Sequence, residues 1–284
     1  MKKIICDGAS AVGKIAYNLS EVIPIYPITP SSPMAEFCSK ENSVGKKNIL
    51  GEVPKMIEMQ AESGVAGTLH GAGLSHALAS TFTSSQGLLL MMPNMFKIAG
   101  ECLPCVIHVA SRAVASHALS IFCDHSDVMA VRSTGFIMLN SSSVQESADM
   151  ALASHMLALK AHLPVLHFFD GFRTSHEIQK IEMFDEKELS TLVKDDMIAY
   201  KNSFKEALFG SAQNPDVFFQ NRERINEKYS LVASKLEEIF KKINAIRQTS
   251  YKPYEYYGAE DAEKIIVAMG SSCKTIEEYI DFNP

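Results

Sequence analysis

The sequence predicts an α/β fold with a doubly wound, mostly parallel sheet, followed by the start of a second α/β domain. Two observations support this prediction. Short apolar runs typical of strands alternate with longer amphipathic stretches typical of helices. The apolar runs are also unbroken, which is typical of parallel strands covered by helices on both faces. Ligands of such folds collect at the loops that leave the carboxyl ends of the strands.

The elements that carry this prediction lie mainly in the first 180 residues or so. The predicted strands are Val22–Tyr26, Ala77–Phe82, Val106–Ala110, Phe136–Leu139 and Val165–Phe169. The predicted helices are Pro33–Ser39, Pro54–Thr68, Gln86–Ala99, Ser126–Val131 and Val144–Ala161. Farther along, Phe218–Arg247 has few turn residues and many charges, so we expect one long helix there.

The predicted domain division places a first domain with a helical extension at 1–250, a linker at 251–262 and a second domain at 263–284. Proline and clustered tyrosines in Tyr251–Gly258 favour an extended strap. The segment Lys264–Ser272 then reads as a strand and turn that lead into a helix. A single strand-helix unit cannot bury its own apolar face. We therefore expect these 284 residues to be a truncated chain.

The bulk composition excludes several classes of protein. A formal charge of -6 gives no basic surface for nucleic acid, and 46% hydrophobic residues predict a sizeable core. Six scattered cysteines do not form a secreted disulfide scaffold. No apolar stretch has the length of a signal peptide core or a membrane span. We expect a cytoplasmic protein that binds neither nucleic acid nor membrane.

The loop YPITPSSP at 26–33 leaves a predicted strand and leads into a predicted helix. It offers the hydroxyl of Thr29, and its serines can present hydroxyls or cap the helix. Local chemistry alone fits an ordinary strand-to-helix turn with serine capping as well as a binding loop.

Two glutamates, Glu58 and Glu62, lie four residues apart in the predicted helix Pro54–Thr68 and would share one face. Their neighbours are largely apolar. A carboxyl group held in an apolar wall can donate or share a proton. The alternative is a pair of solvated surface glutamates.

An arginine, Arg112, ends the predicted strand segment HVASR at 108–112. At the carboxyl end of a strand, a guanidinium can hold a substrate carboxylate through two parallel hydrogen bonds. The alternative is an ordinary surface ion pair.

The cysteines Cys102 and Cys105 form a CxxC pair. A metal site would need a second pair or nearby histidines. Cys123 and His125 offer such partners, but their spacing matches no zinc or iron–sulfur pattern. We therefore expect buried free thiols and no metal ligands in this chain.

Taken in order, several segments resemble the single-chain pyruvate:ferredoxin (flavodoxin) oxidoreductases of the 2-oxoacid:ferredoxin oxidoreductase family. They are YPITPSSPMAE, EMQAESGVAG, TFTSSQGLLLMMPNMFKIAGE, PCVIHVASRA, DHSDVMAVRSTGF, LHFFDGFRTSHEIQKIE and AQNPDVFFQNRE. One motif would be weak evidence, whereas this ordered series is highly specific. The resemblance runs from about residue 4 to the end of the chain.

The resemblance implies a thiamine diphosphate-binding module of the pyrimidine-recognising type, followed by the start of a transketolase C-terminal-like domain. The family oxidatively decarboxylates pyruvate with coenzyme A to acetyl-CoA and CO2. Electrons pass through iron–sulfur clusters to ferredoxin or flavodoxin. The resemblance places the clusters and the module that binds Mg and the diphosphate in other parts of a homodimeric enzyme. This chain alone is then expected to be inactive.

The same resemblance assigns roles by position. Thr29 would contact pyruvate and the cofactor, Glu62 would bond the pyrimidine nitrogen, and Arg112 would bind the pyruvate carboxylate. The chain departs from the family at His76 and Cys123, where glycine is expected. A side chain there is costly if the backbone φ is positive or the packing is tight.

Two alternatives stay open. One is the same half-site in an oxidoreductase for another 2-oxoacid, because an arginine binds any such carboxylate. The other is a truncated chain without catalytic function that acts only as an assembly module.

Overall fold

The structure is a computed structural model that describes residues 2–203 and 208–283. Its strands are β1 (Lys2–Asp7), β2 (Val22–Ile25), β3 (Lys55–Glu58), β4 (Ser80–Thr83), β5 (Val106–Ser111), β6 (Ile137–Ser141), β7 (Val165–Asp170) and β8 (Ile178–Met183). Its helices are α1 (Gly8–Leu19), α2 (Ser32–Ser43), α3 (Glu62–Leu74), α4 (Ser85–Gly100), α5 (Ser126–Ala130), α6 (Val144–Ala161), α7 (Glu186–Asn202), α8 (Pro215–Arg224), α9 (Asn226–Ser230), α10 (Val232–Arg247) and α11 (Ser272–Phe282).

The central sheet is parallel, as the sequence predicts. Four strands pair in the order β4-β5-β7-β6, and β2 pairs with β3 in a second parallel ladder. A single parallel bridge between Val22 and Ala79 joins the two ladders. Among the strands of the described ranges, β1 and β8 alone pair antiparallel, as a separate ribbon. The carboxyl ends of β2, β4, β5 and β7 therefore meet at one edge of the sheet.

Helices cover both faces of this sheet, which explains the unbroken apolar strands. Along β5, Val106 and Ala110 point into the core shared with α1, α6 and α10, whereas Ile107 and Val109 point into the core shared with α3, α4 and α5. Successive side chains of a strand alternate between faces, so both sets must be apolar when both faces are covered. The doubly wound architecture is confirmed.

The predicted helix at Pro54–Thr68 is wrong. Residues Lys55–Glu58 form β3, whose Met56 pairs with Ile23 of β2, and helix α3 begins only at Glu62. Pairing with a strand far away in sequence overrides the local helical pattern. Glu58 and Glu62 therefore do not share a helix face.

Two predictions for the end of the chain also fail. The expected long helix at Phe218–Arg247 is broken into α8, α9 and α10. Residues 264–270 form no strand, and Val267 is 95% exposed. A strand needs a partner strand, and none of the described strands pairs with this segment. The division into domains stays a prediction. Four elements were not predicted, namely β1, α1, β8 and α7.

Helix α10 and the tract after it are held against α6 by one buried carboxylate. Asp149 accepts hydrogen bonds from Arg247 Nε at 2.9 Å and from the Tyr251 hydroxyl at 2.9 Å. The Arg247 guanidinium also lies 3.8 Å over the Phe184 ring. None of the helices within the described ranges has the length and apolar character needed to cross a membrane.

Three buried histidines form a hydrogen-bonded chain in the centre of the fold. His108 Nδ1 lies 2.9 Å from His167 Nδ1, and His108 Nε2 lies 3.3 Å from His155 Nε2. His167 Nε2 bonds the Ser141 hydroxyl at 2.7 Å. Burial lowers the pKa of His155 and of His167 to about 3. The native state therefore keeps these rings neutral.

We predict that these buried histidines make the free energy of unfolding fall in mild acid. The unfolded histidines bind protons below about pH 6.5, whereas the native rings do not, so stability is lost as the pH falls from about 6.5 toward 3. Between pH 7.5 and 5.5, His155→Gln should lose about 1.4 kcal/mol less than the unchanged protein in urea unfolding. The exposed His117, changed to Gln, is the matched control. Equal losses in both variants would contradict the prediction.

Candidate functional site

Loops from β2, β5 and β7 pack closely at the carboxyl edge of the sheet. The Gly171 amide, just after β7, donates to the Ser111 carbonyl at 2.9 Å. A Cβ at Gly171 would lie 2.4 Å from that carbonyl oxygen and 2.6 Å from Pro30 Cγ. Only glycine permits this approach. The close packing brings together Thr29, which follows β2, and Arg112, which follows β5.

The guanidinium of Arg112 is buried but incompletely bonded. Its side chain donates to the Thr29 carbonyl at 2.8 Å and to Gln86 Oε1 at 3.0 Å, while Nε has no partner. Within the described residues, no carboxylate forms an ion pair with it. Burial lowers the pKa of Arg112, and the charges of Asp127 and Glu62 act in the opposite direction. A buried cation with an unused donor is suited to binding an anion. The alternative of a surface ion pair is therefore wrong.

A fully buried carboxylate, Asp127 in α5, fixes the backbone from which Arg112 extends. Its Oδ2 accepts from the amides of Arg112 and Ser85, each at 2.9 Å. Its Oδ1 accepts from the Ser111 hydroxyl at 2.5 Å and from the Val128 amide at 2.8 Å. Four donors satisfy this buried carboxylate. One side chain thus joins the end of β5 to the starts of α4 and α5.

The carboxylate of Glu62 lies at the start of α3 and is only 5% exposed. No side chain or amide in the described ranges donates a hydrogen bond to it. A Cβ at Gly87 would lie 2.5 Å from Glu62 Oε1 and 2.7 Å from Thr83 Oγ1, so a glycine is needed for the two groups to pack here. The Thr83 hydroxyl is likewise buried without a partner. Buried polar atoms without partners are costly, so this pair is suited to a ligand that carries nitrogen groups.

The first turn of α4 connects the two halves of the site. Gln86 accepts from Arg112, and the next residue, Gly87, packs against Glu62. Ser85 has a left-handed backbone with φ of +48°, which is strained for a residue with a side chain. The hydrogen bond from the Ser85 backbone amide to Asp127 holds that conformation. The cation of Arg112 and the carboxylate of Glu62 therefore flank one rigid helix turn.

The three site residues predicted from the sequence differ in their burial. Thr29 is exposed and contacts Arg112 through its carbonyl, while Glu62 and Arg112 are buried and contact the first turn of α4. Glu58 is exposed on β3 and belongs to no part of this site. The serine-capping interpretation of the Thr29 loop is wrong, because the Ser31 hydroxyl donates to the Ile28 carbonyl and leaves α2 uncapped.

Sequence reasoning missed Asp127 and Gln86. An aspartate in the first turn of a helix is an ordinary residue type there, so Asp127 gave no local signal. Both residues did lie inside the quoted segments DHSDVMAVRSTGF and TFTSSQGLLLMMPNMFKIAGE. Of the two departures, His76 has φ of +53°, in the region that favours glycine, whereas Cys123 does not.

All six cysteines are free thiols. Cys105 is buried, and burial raises its pKa to about 12, whereas Cys102 is only partly buried. Cys105 is therefore the buried thiol that the sequence predicts, whereas Cys102 is not fully buried. Cys123, by contrast, lies in a polar cluster with His125 and Asp170.

Comparison with known proteins agrees with this arrangement. Residues 14–241 match the family described as pyruvate flavodoxin/ferredoxin oxidoreductase, thiamine diphosphate-binding. The pyruvate:ferredoxin oxidoreductase of Moorella thermoacetica is 50% identical over 99% of this chain and 24% of its own length. A pyruvate-flavodoxin oxidoreductase from a Nostoc species is 49% identical over 97% of this chain and 69% of its own length.

A solved structure shares the fold. The 2-oxoglutarate:ferredoxin oxidoreductase of Magnetococcus marinus, with 2-oxoglutarate, coenzyme A and succinyl-CoA bound, superposes with a TM-score of 0.67 at 18% identity. The match covers 99% of this chain and 51% of that one. This chain spans about a quarter of the length of several of the curated relatives it matches. The family match over most of the chain and the near-50% identities show that the chain belongs to the pyruvate flavodoxin/ferredoxin oxidoreductase family, as part of its thiamine diphosphate-binding region.

Proposed function

We propose that this chain supplies the pyruvate-binding and pyrimidine-binding half of a thiamine diphosphate site. The enzyme it serves converts pyruvate and coenzyme A to acetyl-CoA and CO2, and passes electrons through iron–sulfur clusters to ferredoxin or flavodoxin. The observation that carries the proposal is the buried pair of Arg112, whose Nε has no partner, and Glu62, which accepts no hydrogen bond from the described residues. Both contact the first turn of α4. The names of the relatives supply pyruvate and the electron acceptors.

The residues around Glu62 fit the pyrimidine end of the cofactor. The carboxylate has no donor within the described chain, and it packs so closely on Gly87 that a Cβ there would lie 2.5 Å from Oε1. A pyrimidine ring offers nitrogen atoms that can donate to or accept a proton from a carboxyl group. When bound, thiamine diphosphate supplies a nucleophilic carbon and an electron sink for the decarboxylation of a 2-oxoacid. Glu62 contributes by holding a proton between its carboxyl oxygen and the ring nitrogen.

Arg112 and Thr29 bind and orient the substrate. The unused Nε–H and the positive charge of Arg112 meet the pyruvate carboxylate, and the exposed Thr29 contributes its hydroxyl. Fixing the carboxylate places the adjacent keto carbon in a defined position, which lowers the entropic cost of reaction. A guanidinium binds any 2-oxoacid in this way, so the preference for pyruvate rests on the relatives.

We further propose that the chain alone does not turn over. The groups that bind Mg and the diphosphate, and the ligands of the iron–sulfur clusters, belong to other parts of the enzyme. A second such chain or a second module must approach the carboxyl edge of the sheet to complete the site. The whole enzyme is proposed to be a homodimer.

Glu62→Gln, made in the complete enzyme, should keep the fold and slow deuterium exchange at the reactive carbon of the bound cofactor. The amide still forms hydrogen bonds but cannot exchange a proton with the ring. The expected decrease is roughly 100- to 10,000-fold, measured by nuclear magnetic resonance after acid quench. Glu58→Gln, at an exposed position on β3, is the control and should exchange normally. Unchanged exchange in Glu62→Gln would assign this residue to structure alone.

Arg112→Ala should raise the pyruvate KM and leave the melting temperature nearly unchanged. The loss of a charged hydrogen-bond partner costs about 1.5–3 kcal/mol, or roughly 10- to 150-fold in affinity. Stability should hold because no buried carboxylate is left without its ion-pair partner. Steady-state kinetics with a viologen dye and a thermal melt provide the two measurements.

Two further variants make this test specific. Arg112→Lys should restore only part of the affinity, because an ammonium group cannot reproduce the planar, two-pronged contact. The exposed Arg132, changed to Ala, should leave the KM unchanged. A normal KM combined with a clearly lower melting temperature in Arg112→Ala would contradict substrate binding.

A further inference from the structure

A second polar cluster lies at the same edge of the sheet, outside the proposed thiamine and pyruvate contacts. It contains Cys123 and His125, from the loop between β5 and α5, and Asp170 at the end of β7. His125 Nε2 lies 2.7 Å from Asp170 Oδ1, and Cys123 Sγ lies 3.6 Å from the same oxygen. The three potential ligand atoms all lie within 4.8 Å of one another. No role in the proposed reaction accounts for them.

The ligand types match a zinc site, and one of the two measured distances already fits. Sulfur, imidazole nitrogen and carboxylate oxygen are the three ligand types that zinc prefers. In a tetrahedral site with the usual bond lengths, such ligands lie roughly 3.3–3.6 Å apart. The observed sulfur–oxygen distance of 3.6 Å already fits. The nitrogen–oxygen distance must open by roughly 0.6 Å, which a rotation of the half-buried His125 ring can provide.

Neighbouring residues orient the carboxylate. Asp170 Oδ2 accepts from the Ser271 amide at 2.9 Å and from the Ser271 hydroxyl at 2.6 Å, so Oδ1 is left to face Cys123 and His125. Such outer contacts fix ligand geometry in metal sites. Gly270 closes over the cluster, where a Cβ would lie 2.6 Å from Asp170 Oδ1. The segment before α11 is therefore shaped around these ligands.

We propose that Cys123 Sγ, His125 Nε2 and Asp170 Oδ1 bind one zinc ion, with the fourth position left to water. The ion joins the loop after β5 to the end of β7 and, through Asp170, to Ser271. Cys123 makes the site particular to this chain, because the family resemblance leads us to expect glycine there, and glycine would leave only two ligands. The site lies beside Arg112 but does not depend on the proposed reaction.

Metal content tests the proposal directly. The 284-residue chain is incubated with zinc chloride, separated from free metal by gel filtration and analysed by mass spectrometry for zinc. We expect about one zinc per chain, as three converging ligands should retain the ion through separation. Cys123→Ser and Cys123→Gly should reduce this to background. Cys6→Ser, which removes a partly exposed thiol on β1, is the control and should keep the zinc.

Cobalt substitution identifies the sulfur ligand. Cobalt(II) bound in the same place should give thiolate-to-cobalt charge-transfer absorption in the near ultraviolet, present in Cys6→Ser and absent from Cys123→Ser. Circular dichroism melts of the metal-free chains show whether the variants are folded. Absence of zinc from the unchanged chain, or equal zinc in Cys123→Ser, would overturn the proposal. If the variants fail to fold, lack of the thiolate band in the unchanged chain still overturns it.

Discussion

The buried carboxylate of Asp127 is the interaction on which the candidate site depends. A charge with no exposure to solvent would be strongly destabilising if its oxygens lacked donors. Here it accepts from the backbone amides of Ser85, Arg112 and Val128 and from the Ser111 hydroxyl. The three elements that contribute these donors are far apart in sequence but meet at the sheet edge. Satisfying one carboxylate therefore fixes the relative positions of β5, α4 and α5.

This fixed frame explains how the site can hold polar groups that lack partners. Arg112 keeps an unused Nε–H, and Glu62 lacks any donor among the described residues. Flexible surroundings would collapse onto such groups, whereas a turn anchored through Ser85 and the Arg112 backbone holds them apart. Polar groups that gain hydrogen-bond partners only when a ligand binds are typical of preorganised sites. The proposed zinc at Cys123 would further restrain the loop on the other side of Arg112.

The sequence predicted the strands and helices of the parallel core well, but it failed for β3 and for the segment at 264–270. Helix α6 has the predicted bounds, and β5 and β7 differ from prediction by one residue, because strands covered on both faces carry continuous apolar runs. Strand β3 was mistaken for helix, since its pairing with β2 is a long-range contact that local periodicity does not record. The segment at 264–270 has a strand-like sequence but pairs with none of the described strands.

The residues of the candidate site were likewise predicted only in part. Family resemblance selected Thr29, Glu62 and Arg112, while local chemistry left surface roles open for each. The structure reveals burial and missing partners for the latter two, which no spacing rule indicates. Asp127 and Asp170 escaped notice because their partners come from other strands and loops. Asp170, for example, lies 45 residues from His125.

The most direct test of this account is a double-mutant cycle on the pyruvate KM of the complete enzyme. Asp127→Asn replaces one acceptor oxygen with an NH2 group, which would face hydrogen-bond donors instead of accepting from them. The change should therefore loosen the Arg112 backbone and raise the KM. If Asp127 acts by positioning Arg112, then adding Asp127→Asn to Arg112→Ala should change the KM little beyond the arginine variant alone. The exposed Asp124, changed to Asn, should show no such coupling. Increases in KM that multiply in the double variant would contradict the central role given to Asp127.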